Sequence, residues 1–60
     1  MQKYISKDGK VEISVRQRGR NQTAWALHVE GRYMASKVLP KTNTAVVQNF
    51  GYDAGDFALA

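Results

Sequence analysis

Large apolar residues at every second position of residues 11–16 and 24–30 are the feature that most constrains the fold of this chain. In both segments every second residue is apolar, as is typical of strands that bury one face. The apolar positions are Val11, Ile13, Val15, Trp25, Leu27 and Val29. Pairing Val15 opposite Trp25 places all of them on one face, and this register requires an odd number of residues in the connecting loop. We therefore predict antiparallel strands over residues 10–17 and 22–30, joined by a loop of three or five residues centred on Arg20.

Two turn signals predict further strands on either side of this pair. Asp8-Gly9 is a preferred two-residue hairpin loop, so residues 2–7 should pair with residues 10–17 and set Tyr4 opposite Ile13. Glu30-Gly31 indicates a tight turn into a strand over residues 32–39, which Pro40 ends.

The length of the turn before this last strand decides which of its side chains point toward the core. After a tight turn, the residues that face the core are Met34, Ser36 and Val38, and those on the opposite, polar face are Tyr33, Ala35 and Lys37. A three-residue turn would instead bring inward Tyr33, Ala35 and Leu39. We predict the tight turn and keep the other as the alternative.

Residues 43–50 are predicted to form a short helix. Thr42 or Asn43 would cap its start and Gly51 would stop it. The buried side of this helix would consist of Val46, Val47 and Phe50. Because two of these residues are β-branched, a further strand is the alternative. Residues 52–60 are predicted as a tail that either frays or packs as a short segment.

These elements predict one small α+β domain over residues 1–60. It consists of a three- or four-stranded antiparallel β-meander with one short C-terminal helix packed on one face. A chain of 60 residues buries only about 60% of the surface that its unfolded form exposes, so its stability is marginal. Association into a homodimer would add to that stability.

Basic residues dominate the first two thirds of the chain. The formal net charge is +4, and all nine Lys and Arg residues precede Thr42, whereas the only charged residues after it are Asp53 and Asp56. A basic surface of this kind suits phosphates or an acidic protein surface, or it serves solubility alone.

Three arginines, Arg16, Arg18 and Arg20, lie within five residues at the predicted tip of the second hairpin. Guanidinium groups crowded onto a turn repel each other and bury nothing, so we infer a polyanionic partner for them. The segment Arg18-Gly19-Arg20 resembles the core of an AT-hook, which lies in the minor groove of DNA, although Gln17 and Asn21 stand where that motif has prolines. The resemblance implies that the hairpin tip enters a groove.

The predicted binding surface extends from this tip over the polar face of the sheet. Tyr33 is expected there near His28, Arg32 and Lys37, where its ring could stack on a base or seal a protein interface, unless the helix covers this face. The candidate residues for contact with nucleic acid or another partner are Arg16, Arg18, Arg20, Arg32, Lys10, Lys37 and Tyr33.

The sequence does not support catalysis or a metal or cofactor site. His28 is the only histidine, and a nucleophilic set would require Ser14 or Ser36 beside it. One histidine without any cysteine supplies too few ligands for zinc. We therefore expect a protein that is not an enzyme and needs no cofactor.

The apolar runs fall far short of the roughly 20 residues that span a bilayer, and the first residues lack the apolar core of a signal peptide. We expect a soluble, cytoplasmic protein with no membrane partner. Its expected function is a small basic nucleic-acid-binding protein that uses the arginine-rich β-hairpin and a sheet face. The alternative is a small phage- or mobile-element-type regulator or inhibitor that binds a host protein through the same basic surface.

Overall fold

The computed structural model describes residues 2–60 and contains a five-stranded antiparallel sheet with a short helix against it. The strands are β1 (Lys3–Ser6), β2 (Val11–Arg18), β3 (Gln22–Val29), β4 (Arg32–Pro40) and β5 (Phe57–Leu59). Helix α1 spans Val46–Asn49, and a 3-10 turn spans Ala54–Asp56. The strand order is β4-β3-β2-β1-β5. The α+β class agrees with the prediction, but the sheet has five strands instead of three or four.

The fifth strand comes from the predicted tail. Residues 57–59 pair with β1, with Tyr4 opposite Leu59. The rings of Tyr52 and Phe57 meet edge to face at 5.6 Å between their centres, and both pack against the core. The tail is therefore a packed segment, because these aromatic contacts hold it against the edge of β1.

The register of β2 against β3 is the predicted one. Val15 lies opposite Trp25 and Ile13 opposite Leu27. Residues 19–21 lie between the strands, but the ladder next to them is shifted by one residue because Arg16 forms a β-bulge. A bulge reverses the facing of the residues that follow it, and this reversal decides where the arginines lie.

The first hairpin has the predicted register but a longer loop. Tyr4 lies opposite Ile13, yet β1 and β2 stop four residues apart, and of Asp8-Gly9 only Gly9 has a positive φ, 76°. The Asp8 carboxylate accepts hydrogen bonds from the Ser6 hydroxyl (2.5 Å) and from the Lys10 backbone N–H (3.0 Å). These two bonds, the Ser6 bond foremost, lower the pKa of the Asp8 carboxyl group. The prediction of a two-residue loop is therefore wrong, because the hydrogen bonds of the Asp8 side chain stabilise a wider turn.

The turn into β4 is the tight one predicted. Glu30 and Gly31 have φ angles of 52° and 81°, and Val29 lies opposite Arg32. Both central residues of a hairpin turn of this kind need positive φ.

Beyond its first residues, β4 faces opposite to the prediction. Met34 forms a second bulge, because Tyr33 lies opposite His28 while Ala35 lies opposite Leu27. Side-chain alternation is reversed after this bulge. The prediction that the core includes Met34, Ser36 and Val38 is therefore wrong. Ala35 and Leu39 lie on the core side of the strand as in the alternative, but through a bulge and not a longer turn. Of these two only Leu39 is buried, whereas Ala35 is exposed, and Tyr33 stays on the polar face.

The core lies between α1 and one face of the sheet, here called the helix face. Its buried residues are Ile13, Trp25, Leu27, Leu39, Val46 and Val47. Helix α1 begins later than predicted, because Ala45 is its N-cap. The Asn43 Oδ1 precedes the helix and accepts hydrogen bonds from the Ala45 N–H (2.9 Å) and the Asn49 Nδ2 (3.4 Å). Gly51, with φ 85°, follows the helix as predicted.

On the other side of the sheet, here called the outer face, no helix lies among residues 2–60. The alternative that α1 covers Tyr33 is therefore wrong, and Tyr33 is 54% exposed. No helix among residues 2–60 has the length and apolar character needed to cross a membrane.

Candidate nucleic-acid interface

The topology sorts the loops of the molecule to two ends of the sheet. At one end, the loop of residues 19–21 meets the end of β4, where the Lys41 N–H donates to the Asn21 carbonyl (3.0 Å). At the other end, the Lys7 N–H donates to the Asp56 carbonyl (2.8 Å) and the Glu30 N–H donates to the Lys10 carbonyl (2.7 Å). The first and third hairpin turns and the residues before β5 therefore share this second end.

Charge is sorted to the same two ends. What we call the basic end carries, among the described residues 2–60, four cations and no carboxylate side chain: Arg16, Arg18, Arg20 and Lys41. What we call the acidic end holds all five acidic side chains of the chain: Asp8, Glu12, Glu30, Asp53 and Asp56. Four cations share the acidic end: Lys7, Lys10, Arg32 and Lys3, whose Nζ lies 3.3 Å from the Glu12 Oε1. This polarity cannot be predicted from the order of charges in the sequence, because it depends on the pairing of β5 with β1, which places Asp53 and Asp56 away from the arginines.

The bulge at Arg16 distributes the three arginines around the basic end. Arg16 lies on the outer face, whereas Arg18 lies opposite Thr23 on the helix face and Arg20 lies in the loop between them. All three side chains are exposed. Within residues 2–60 none of them forms an ion pair, since the Lys3–Glu12 contact at 3.3 Å is the one ion pair there. Three cationic groups therefore surround the tip without compensation by a carboxylate.

A shallow groove on the outer face, here called the outer groove, joins Arg16 to Tyr33. The Arg16 Cζ lies 5.8 Å from the centre of the Tyr33 ring, and the His28 ring meets Tyr33 edge-on with 5.8 Å between ring centres. The groove has a volume of about 390 Å³, and Ser14 and Ala26 are among the small residues that line it. The Tyr33 hydroxyl donates to the Ser36 Oγ (3.0 Å). The predicted proximity of Tyr33 and His28 is therefore present, and Arg16 joins them.

His28 adds an unused polar atom to the outer groove. Its Nδ1 is buried and has no hydrogen-bond partner within residues 2–60. Ser14 lines the same groove, but no hydrogen bond joins the two side chains in the part of the chain that the structure describes. Nor do residues 2–60 contain a group of three or more His, Cys, Asp or Glu side chains that could hold a metal ion.

The other predicted binding residues lie elsewhere. Lys37 lies opposite Trp25 on the helix face, where its Nζ donates to the Asn49 carbonyl (2.5 Å) and lies 5.8 Å from the centre of the Phe50 ring. Lys10 and Arg32 lie at the acidic end. The structure thus brings Arg16 and Tyr33 together on the outer face. It places Arg18 and Arg20 at the same end of the sheet, with Arg18 on the opposite face, and separates the remaining three residues from this end.

The sequence matches no protein-family model, and comparisons with curated proteins and with solved structures return no match.

Proposed function

We propose that this protein binds nucleic acid through the basic end and the outer groove, and that it does so without catalysis. The observation that carries the proposal is the separation of charge along the sheet, with four cations at one end and every acidic side chain at the other. Solubility alone does not require such a separation, whereas clustered cations without carboxylates attract the phosphates of a polyanion.

The outer groove supplies the second element of the proposed interface. Arg16 belongs to both surfaces, because it lies at the basic end and also over the Tyr33 ring. An exposed aromatic ring beside a guanidinium group suits a base and its phosphate, since every base offers a π-face for stacking. We propose that a strand passes from the basic end onto the outer face, with phosphates at Arg16 and Arg20 and a base at Tyr33. A cytoplasmic location, where nucleic acid is accessible, belongs to the same proposal.

The test compares two triple variants with the same change of charge. One replaces Arg16, Arg18 and Arg20 by Ala at the basic end, and the matched control replaces Lys7, Lys10 and Arg32 by Ala at the acidic end. Fluorescence anisotropy measures binding to labelled duplex and single-stranded oligonucleotides over a range of salt concentrations. For each phosphate that the variant no longer binds, the slope of log K against log salt should flatten by about 0.9 on duplex DNA or about 0.7 on a single strand.

We expect the basic-end variant to bind oligonucleotides more weakly and with a flatter slope of log K against log salt. The control should retain most of the affinity and most of the salt dependence. Equal losses in the two variants would show that only net charge matters. Absence of oligonucleotide binding by the unaltered protein would refute the proposal.

A second candidate function, a regulator or inhibitor that binds another protein, is favoured by the edge strand β4. Met34 and Val38 on this strand are both 60% exposed. Apolar side chains do not bind phosphates, so nucleic-acid binding does not explain their exposure. An exposed strand edge with apolar residues suits pairing with a strand of a partner protein. Affinity purification from native cells, with and without nuclease, separates the two functions, because a protein partner remains bound after nuclease treatment.

A further inference from the structure

A second groove lies at the basic end, on the helix face of the sheet. This groove, here called the end groove, has a volume of about 250 Å³. It runs between the end of the sheet and the chain segment of residues 40–46. The predicted binding residues did not include this location, apart from Arg18.

Hydrogen-bond donors without partners converge on the end groove. Because of the bulge at Arg16, Arg18 lies opposite Thr23, and Thr23 in turn lies opposite Leu39. Arg18 is therefore level, across the sheet, with the end of β4, which Lys41 follows directly. Arg18 and Lys41 both line the groove, and neither side chain forms an ion pair or a hydrogen bond within residues 2–60. Two uncompensated cations thus lie at its rim.

Asn43 contributes a third donor. Its Oδ1 accepts a hydrogen bond from the Ala45 N–H (2.9 Å), which assigns the amide orientation and leaves Nδ2 as a donor. Nδ2 has no acceptor within the described part of the chain, and Asn43 lines the end groove. A guanidinium, an ammonium and an amide NH₂ are together the donors that suit a phosphate group.

Part of the remaining wall of the end groove is apolar, beside the polar side chains of Gln2, Thr23 and Thr44. The apolar part is formed by Tyr4, Trp25 and Val46, and the rings of Tyr4 and Trp25 are 5.7 Å apart between their centres. This apolar part suits a flat or apolar group that is attached to a phosphate.

We propose that the end groove binds one nucleotide of a nucleic-acid strand, with its phosphate held by Arg18, Lys41 and Asn43 and its sugar or base against Trp25 and Tyr4. This inference rests on the proposed function and extends it, since it adds a second nucleotide site on the opposite side of the sheet from Tyr33. A strand bound at both sites would wrap around the hairpin tip, where Arg20 lies between them.

The experiment uses the fluorescence of Trp25, which is the only tryptophan of the chain. The unaltered protein is titrated with thymidine 5′-monophosphate, with thymidine, and with oligothymidylates that carry or lack a 5′-phosphate. We expect the fluorescence to change with the monophosphate and with both oligonucleotides, but not with thymidine. A response confined to the 5′-phosphorylated oligonucleotide would identify a terminal phosphate as the ligand, and equal responses would identify an internal one.

Three single variants complete the test: Lys41→Gln and Arg18→Gln in the end groove, and Lys7→Gln at the acidic end as the matched control. Removal of a charged hydrogen bond should lower the affinity for the monophosphate or the oligonucleotide by about tenfold in each groove variant. The affinity of the control variant should be unchanged. An equal response to thymidine, no response of Trp25 to any probe, or equal effects in all three variants would overturn the inference.

The experiments distinguish refutation of the end-groove site from refutation of the proposed function. If oligonucleotides bind in a manner that depends on Arg16 and Arg20 while Trp25 and the groove variants show no effect, only the end groove is refuted. If no oligonucleotide binds, the proposed function is refuted, and the inference that rests on it falls as well.

Discussion

The guanidinium group of Arg16 lies over the ring of Tyr33, with 5.8 Å between its Cζ and the ring centre, although the two residues belong to strands that are not neighbours in the sheet. Arg16 is the bulged residue of β2, and Tyr33 immediately precedes the bulge of β4. The small side chains of Ser14 and Ala26 in the floor of the groove leave room for both to approach across β3. This pair connects the basic end to the outer groove.

Replacing Tyr33 by Leu should weaken binding of single-stranded oligonucleotides about tenfold, since stacking of one base on an aromatic ring is worth about 1–3 kcal/mol. Tyr33→Phe retains the ring and should bind nearly as well as the unaltered protein. Anisotropy titrations measure both affinities. Equal affinities of the Leu and Phe variants would show that no base stacks on this ring.

Truncation of Leu27 to Ala should cost about 2–5 kcal/mol of unfolding free energy, because the side chain is 8% exposed within the core and a cavity would remain. The matched control is Val38→Ala, which removes an apolar side chain that is 60% exposed and should change stability by less than about 0.5 kcal/mol. Urea denaturation followed by Trp25 fluorescence gives both values. Similar destabilisation of the two variants would contradict the assignment of the core.

Deletion of Met34 should be tolerated, within about 1 kcal/mol, because it removes the extra residue of a bulge and leaves Tyr33 opposite His28 and Ala35 opposite Leu27. Deletion of Ser36, which lies in the regular part of the ladder, should instead shift one side of the strand by a residue and turn either Ala35 or Leu39 away from the core. Thermal unfolding of the two deletion variants measures the difference. A Met34 deletion as destabilising as the Ser36 deletion would argue against the bulge.

Replacement of Glu30 by Asn should raise the free energy of unfolding by up to about 1 kcal/mol. Glu30 has a φ of 52°, a region that costs most L-residues about 1–2 kcal/mol but that Asn adopts readily. The converse change, Gly31→Ala, should be destabilising, since Gly31 has a φ of 81°. Chemical denaturation measures both changes, and a destabilised Glu30→Asn variant would contradict the turn geometry.

The sequence by itself determined the central hairpin, because the alternation of Val11, Ile13 and Val15 against Trp25, Leu27 and Val29 admits one register that buries both sets. It also determined the tight turn at Glu30-Gly31 and the helix stop at Gly51, since Gly31 and Gly51 indicate positions with positive φ. Trp25 and Leu27 are accordingly buried where the pattern predicts them.

Only the tertiary structure decided the two bulges, the fifth strand and the side of the sheet that α1 covers. A bulge at Arg16 or Met34 leaves no mark in the local sequence, because its stability depends on the packing of neighbouring strands, yet each one reverses the facing of all residues that follow it. For the same reason the sequence could name Arg16, Arg18 and Tyr33 as candidates but could not place Arg16 beside Tyr33 and Arg18 on the opposite face. The separation of charge depends in addition on the pairing of β5 with β1, which joins residues far apart in the chain and which no local pattern encodes.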